Sequence, residues 1–197
     1  MMQNLSMHVL DIAANSVRAK ATKVSVAVAD SELRNQIKIT VSDNGCGMNE
    51  EMCRKVQDPF FTSRTTRKIG LGVPFFKELS EQCGGEFSLK SKEGAGTEIS
   101  ASMQRDHWDT PPMGDIGDAV MIAATTDCGV HFIFSYQNDA GCFVFDTDEI
   151  KAILGDEVSI ADAEIMLWCK DYINQGIAMC GKKRRIYEII SRFTKAA

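Results

Sequence analysis

Ile37, Ile39 and Val41 alternate with polar neighbours and run into Asp43-Asn44-Gly45-Cys46-Gly47. Upstream, Val24, Val26 and Val28 alternate in the same way, and the polar stretch 30–35 separates the two runs. Period-two alternation on both sides of a polar turn predicts a β-hairpin with one apolar face. Such a face must be buried against a second layer, which restricts the fold more than any other feature of the chain. The end of the second strand carries a carboxylate beside two glycines, where backbone and ligand can approach closely. Taken alone, Asp-Asn-Gly is a turn signal.

The remaining pattern supplies the second layer. Apolar residues at 5, 9, 12, 13 and 17 form a helical stripe over Leu5 to Lys20. Residues 48–69 read as irregular, with a short helix near Glu50–Val56. Pro74 opens a helix that runs to about Cys83 and is ended by Gly84-Gly85. Phe87/Leu89 and Ile99/Ala101/Met103 mark a second strand pair. The order α-β-β-loop-α-β-β predicts a two-layer α/β (α+β) sandwich over residues 1–104. Residues 105–117 read as a linker, and 118–197 as a small C-terminal α/β extension of undefined role. In that extension strands are expected near 119–125, 130–136 and 142–146, and helices near 148–154, 160–175 and 183–194.

Composition excludes several classes. No apolar run approaches the roughly 20 residues that span a bilayer, and the start has no basic, apolar leader. The seven cysteines are scattered, without a Cys-x-x-Cys pair, which fits neither a disulfide framework nor a metal ribbon. These features set the expectation of a cytoplasmic protein. Residues 1–104 carry a net charge of +1 and residues 105–197 a net charge of −6, so nucleic acid is not an expected partner. Five basic residues, Arg54, Lys55, Arg64, Arg67 and Lys68, fall close together, which suits a small anion or a solvated loop.

Several short motifs carry chemistry. Asp11 and Asn15 lie four apart on one helix face. An amide oxygen can join a Mg²⁺ shell, and a carboxylate one turn away can act as general base; an exposed polar pair is the plainer alternative. Gly70-Leu71-Gly72 before a helix offers free N–H groups for phosphate, or a simple loop-to-helix turn. Pro59 to Lys68 combines aromatic, hydroxyl and cationic side chains in the manner of a lid. Gly94-Ala-Gly96-Thr97 is a tight turn ending in a hydroxyl. Asp43 can accept a hydrogen bond from an exocyclic amine such as that of adenine.

In order along the chain, Asp-x-x-x-Asn, Asp-Asn-Gly-x-Gly-Met, Pro-Phe-Phe-Thr-Ser-Arg, Gly-Leu-Gly and Gly-x-Gly-Thr resemble the ATP-binding domain of the GHKL superfamily. That group includes gyrase B, Hsp90, sensor histidine kinases and MutL, and the resemblance covers residues 5–103. It implies the Bergerat fold, a mixed sheet covered on one face by helices. It implies that Asp43 meets the adenine amine with support from Thr97, and that Gly45 and Gly47 border the base. It places Asn15 on Mg²⁺ and Gly70 and Gly72 on the phosphates. Met48, Phe60, Thr62, Ser63, Arg64, Lys68 and Leu71 complete the implied ATP contacts. ATPases of the superfamily usually carry Glu where this chain has Asp11, one methylene shorter.

The motifs start within about ten residues of the N-terminus, so the expected form is free-standing, without an upstream phosphoacceptor hairpin. His8, His107 and His131 lack the surroundings of an acceptor box. The leading expectation is a histidine-kinase-like protein that binds ATP and Mg²⁺, and phosphorylates or regulates a protein partner in trans. A slow ATPase switch of the MutL/gyrase kind and a non-catalytic nucleotide sensor are the alternatives, and a homodimer is compatible with each. Cys46, between two site glycines, reads as a small residue that fits or as a thiol whose modification would block ATP.

Overall fold

A computed structural model describes residues 3–58, 72–155 and 158–180. The sheet grows from the expected hairpin. Strands β1 (Lys23–Ser31) and β2 (Gln36–Asp43) pair antiparallel, with Val26 opposite Val41 and Val28 opposite Ile39. Asn35 adopts φ +48° at the turn between them, a conformation that Asn tolerates well. Strand β3 (Phe87–Lys92) pairs with β4 (Gly96–Gln104), and β4 lies along β2 with Ile99 opposite Val41 and Ala101 opposite Ile39. Directly opposed residues share a face. One side of the sheet therefore collects Val24, Val26, Val28, Ile37, Ile39, Val41, Ile99, Ala101 and Met103, all buried. The other side carries Ser25, Ala27, Lys38, Thr40, Ser42 and Ser100.

Helix α1 (Leu5–Arg18) covers the apolar side with Leu5, Val9, Ile12 and Ala13. Asn4 caps it by accepting from the Met7 N–H at 3.1 Å, which satisfies one of the free N–H groups of the first turn. A short α2 (Glu50–Lys55) is capped by Asn49, with acids in its first turn and bases in its last, matching the helix dipole. Helix α3 (Gly72–Gln82) buries Val73, Phe76 and Leu79 beside α1. His8 on α1 stacks on Phe76, with ring centroids 5.4 Å apart. It is a packing residue, 3% exposed.

The C-terminal residues extend the same two layers. Helix α4 (Ile116–Thr125) packs between α1 and α6 (Ala163–Ala178). Strand β5 (His131–Asn138) joins β1 in parallel, with Phe132 opposite Val24 and Phe134 opposite Val26, and β6 (Gly141–Asp146) closes the sheet. The sheet order is β3-β4-β2-β1-β5-β6. Of the strands expected in the C-terminal extension, those near 130–136 and 142–146 thus complete the first sheet. Helix α5 (Thr147–Leu154) is capped by Asp146, whose Oδ1 also meets His131 Nε2 at 2.8 Å.

One expectation is corrected. Residues 119–125 form helix α4 and not a strand. Ile116, Ala119, Val120, Met121, Ala123 and Ala124 are all buried, because helices flank α4 on two sides, and a helix apolar on several faces loses its 3.6-residue signature. The stretch 105–117 makes contacts of its own: the Pro112 and Met113 carbonyls accept from the Leu5 and Ser6 N–H groups at 3.0 and 2.9 Å. It thereby satisfies two more N–H groups at the start of α1. The helix expected near 183–194 lies outside the described residues.

Burial lowers the His8 pKa from 6.5 to about 4, so the folded protein holds this ring neutral while the unfolded chain protonates it. Stability should fall as pH drops from about 6.5 to about 4, since over that window the unfolded state binds the extra proton. His8→Phe keeps an aromatic ring and removes this titration. Chemical denaturation from pH 7 to 4 should show the wild type losing on the order of 3 kcal/mol more than the variant. Parallel curves would contradict the burial argument.

Candidate functional site

The row of opposed residues Thr97, Asp43, Val24, Phe132 ends the apolar face of the sheet. Asp43 therefore projects toward the helical layer, where an unpaired carboxylate is costly. Two donors hold it. Ser16 Oγ on α1 donates to Oδ2 at 2.6 Å, and the Gly45 N–H donates to Oδ1 at 2.9 Å. Each oxygen keeps a lone pair, so the carboxylate remains an oriented acceptor.

The backbone after Asp43 is anchored on both sides. Asn44 Oδ1 accepts from the Thr22 and Lys23 N–H groups at 2.9 and 2.8 Å. The Cys46 N–H donates to Ala19 O at 2.9 Å, and Cys46 O accepts from Gly94 at 2.8 Å. Ser91 joins the two walls: its hydroxyl donates to Gly96 O at 2.9 Å and accepts from the Met48 N–H at 2.8 Å. Thr97 Oγ1 lies 2.9 Å from that same hydroxyl. Since the Ser91 proton is used on Gly96, Thr97 is the donor to Ser91 and keeps acceptor capacity for a ligand.

Gly47 and Gly96 are required by shape. Gly47 has φ +63°, and a Cβ there would lie 1.9 Å from Lys92 O; Gly96 has φ +95°, and its Cβ would lie 1.9 Å from Asp43 O. The close approach that the motif suggested is thus first an approach of backbone to backbone.

Asp11 and Asn15 sit on α1, the first about one and a half turns before Ser16 and the second beside it. Asn15 Oδ1 accepts from Arg18 at 2.6 Å and retains a second lone pair. Asp11 Oδ2 is buried without a hydrogen-bond partner among the described residues, and it lies against Gly72 at the start of α3. The structure thus brings Asp43, Gly45, Gly47, Met48 and Thr97 to one end of the sheet, with Asn15 above on α1, and pairs Asp11 with Gly72. Phe60, Thr62, Ser63, Arg64, Lys68, Gly70 and Leu71 lie outside the described residues. Cys46 is exposed.

Sequence reasoning missed Ser16 and Ser91. The signal for Ser16 was its place on the buried stripe, at the spacing that follows Val9, Ile12 and Ala13, where a polar side chain needs a partner. Ser91 follows Phe87 and Leu89 in the alternation of β3, so it points into the sandwich.

The described residues thus set an oriented carboxylate, a glycine-bordered strand end and an Asp/Asn helix face within a two-layer sandwich. The family model for histidine kinase-, DNA gyrase B- and HSP90-like ATPases matches residues 2–107, and the chain belongs to that family. Its fold is the α/β Bergerat type implied by the resemblance. Among curated relatives, a putative sensor protein of Shewanella frigidimarina is 30% identical over 49% of this chain and 15% of its own length. The sensor histidine kinase ZraS of Escherichia coli is 29% identical over 47% of this chain and 20% of its own length. This chain thus spans a fifth or less of each of these two relatives. Among solved structures, the catalytic domain of the histidine kinase ThkA is 22% identical, covering 48% of this chain and 62% of that one, with a TM-score of 0.36. No helix among the described residues is long and apolar enough to cross a membrane.

Gly96→Ala should force the strand β4 backbone away from Asp43. The positive φ and the contact with a carbonyl together cost at least about 2 kcal/mol, so the melting temperature should fall by roughly 4 °C or more. An unchanged melting temperature would show that the turn relaxes freely.

Proposed function

We propose that this protein binds ATP with Mg²⁺ and transfers the terminal phosphoryl group to a protein partner in trans. The observation that carries the reading is the Asp43 carboxylate. It is held at the end of β2 by Ser16 and the Gly45 N–H, with acceptor capacity directed to the end of the sheet where an adenine amine would be read. Thr97, whose own proton goes to Ser91, stands beside it in register. Gly45, Gly47 and Met48 border the base. Gly72, with Gly70 and Leu71, serves the phosphates, and Phe60, Thr62, Ser63, Arg64 and Lys68 act from the lid.

Asn15 with Asp11 one turn away is a hard-oxygen donor set that suits Mg²⁺, and Asn15 would hold the ion. When bound, Mg²⁺ neutralises phosphate charge. Asp11 accepts the proton of an attacking side chain on the partner. The phosphorus–oxygen bond to ADP then breaks as the bond to the partner forms. The family relation to kinases, and an Asp rather than the longer Glu of hydrolytic members, support transfer to a protein over transfer to water. The partner is a protein and not a nucleic acid, in keeping with the acidic second half, and the protein acts in the cytoplasm.

Incubation with γ-labelled ATP and cell lysate tests the reading: label on a protein is expected, whereas free phosphate alone would point to an ATPase switch. Asp43→Asn exchanges an acceptor for a donor toward the adenine amine. It should weaken ATP binding about tenfold or more, the value of one charge-assisted hydrogen bond. Asp11→Asn should leave ATP binding intact and abolish transfer; unchanged transfer would remove Asp11 from its assigned role.

A further inference from the structure

The buried side-chain atoms left without a hydrogen bond among the described residues are His8 Nδ1, Asp11 Oδ2 and Ser80 Oγ. All three belong to α1 and α3, the helices that pack against each other. Two contacts fix how these helices mesh. His8 stacks on Phe76 at 5.4 Å. One turn further along α1, Asp11 lies against Gly72: a Cβ on Gly72 would sit 1.7 Å from Oδ2, 2.8 Å from Cγ and 3.3 Å from the Asp11 Cβ. The carboxylate thus occupies the volume that a side chain at position 72 would need.

We propose that Asp11 and Gly72 form an interlock, in which position 72 lacks a side chain in order to receive the Asp11 carboxylate and position 11 takes Asp because a longer acid does not fit. The missing side chain at 72 is then accounted for within the protein itself, whatever ligand the Gly72 backbone meets. The carboxylate oxygen and carbon are the obstacle; with them gone, the Asp11 Cβ would lie 3.3 Å from the new atom, a tight contact that a shift of a few tenths of an ångström relieves. The His8–Phe76 stack one turn later restrains α3 from backing away while the carboxylate is in place. A glutamate at position 11 would carry its carboxylate one methylene further into the start of α3. Asp11 is thereby a residue positioned by α3, and any displacement of the α3 start displaces its carboxylate. That last consequence bears on phosphoryl transfer only through the ATP-binding reading above; the interlock itself does not depend on it.

The test is a mutant cycle read by thermal unfolding of the full chain without nucleotide. Gly72→Ala should lower the melting temperature by roughly 3–10 °C, the range for one misplaced methyl in a packed site. Asp11→Ala alone should leave it unchanged or raised, because it removes a buried oxygen that has no partner among the described residues. Asp11→Ala combined with Gly72→Ala should recover most of the loss, a coupling expected only of residues in contact. Asp11→Glu should be less stable than Asp11→Ala, although it is the milder exchange chemically. If Gly72→Ala does not accumulate as folded protein, the double variant should. Additive losses in the cycle, no recovery in the double variant, or Asp11→Glu as stable as wild type would each overturn the interlock. Wild-type binding of Mg²⁺-ATP, measured alongside, tests the functional reading separately. Its absence would sink that reading while the melting data still decide the interlock.

Discussion

The arrangement depends on a carboxylate placed on the apolar side of a sheet. The register that sets Val26 against Val41 and Ile39 against Ala101 also sets Asp43 opposite Val24, on the same face. Alternation leaves Asp43 no choice of side, since a one-residue slip would expose every valine and isoleucine of the hairpin. A carboxylate in that position requires donors, and they come from two directions: Ser16 from the helical layer and Gly45 from the chain's own return. The strand end, α1 and the turn before β4 are tied together by this one group and by the Ser91 hydroxyl. A site that reads a base by hydrogen bonding needs that kind of rigidity, because an acceptor free to rotate discriminates poorly.

Much of this was legible in the sequence where periodicity is strict. The hairpin and the β3–β4 pair follow from alternation, and α1 follows from its stripe. Asp43 and the glycines at 47 and 96 each have a local reason that sequence shows: an acceptor at a strand end, or a left-handed backbone conformation closed to side chains, whereas Gly45 is set by the approach of Ala19 O. What was not legible depends on partners distant in sequence. Ser16 meets Asp43 across 27 positions, and nothing local marks a serine as the holder of a carboxylate. The run 119–125 reads as a strand because burial on several faces erases helical periodicity, although Asp115 supplies the cap of the helix Ile116–Thr125. The parallel junction of β5 with β1 required knowing that α4 crosses over the sheet, a tertiary fact.

The C-terminal part gains a physical definition from its contacts. Lys170 on α6 reaches Asp115 and Asp118 at 2.9 and 3.1 Å, and Asn174 bridges Asp115 and the Gly117 N–H. These bonds hold α6 to the start of α4, and α4 packs on α1. The helix that carries Asp11, Asn15 and Ser16 therefore lies between α3 on one side and α4 on the other, with the Pro112–Met113 backbone over its first turn. Anything that moves the C-terminal layer acts on α1 directly, through packed side chains and not through a flexible tether.

On the proposed function, Asp43 accepts a hydrogen bond from an exocyclic amine. The most direct measurement compares ATP with inosine triphosphate, which presents a carbonyl oxygen where adenine presents its amine. Calorimetric titration of each, with Mg²⁺, should give about tenfold or tighter binding for ATP, since the carbonyl would face the carboxylate as acceptor against acceptor. Equal affinity for the two nucleotides would contradict the claim.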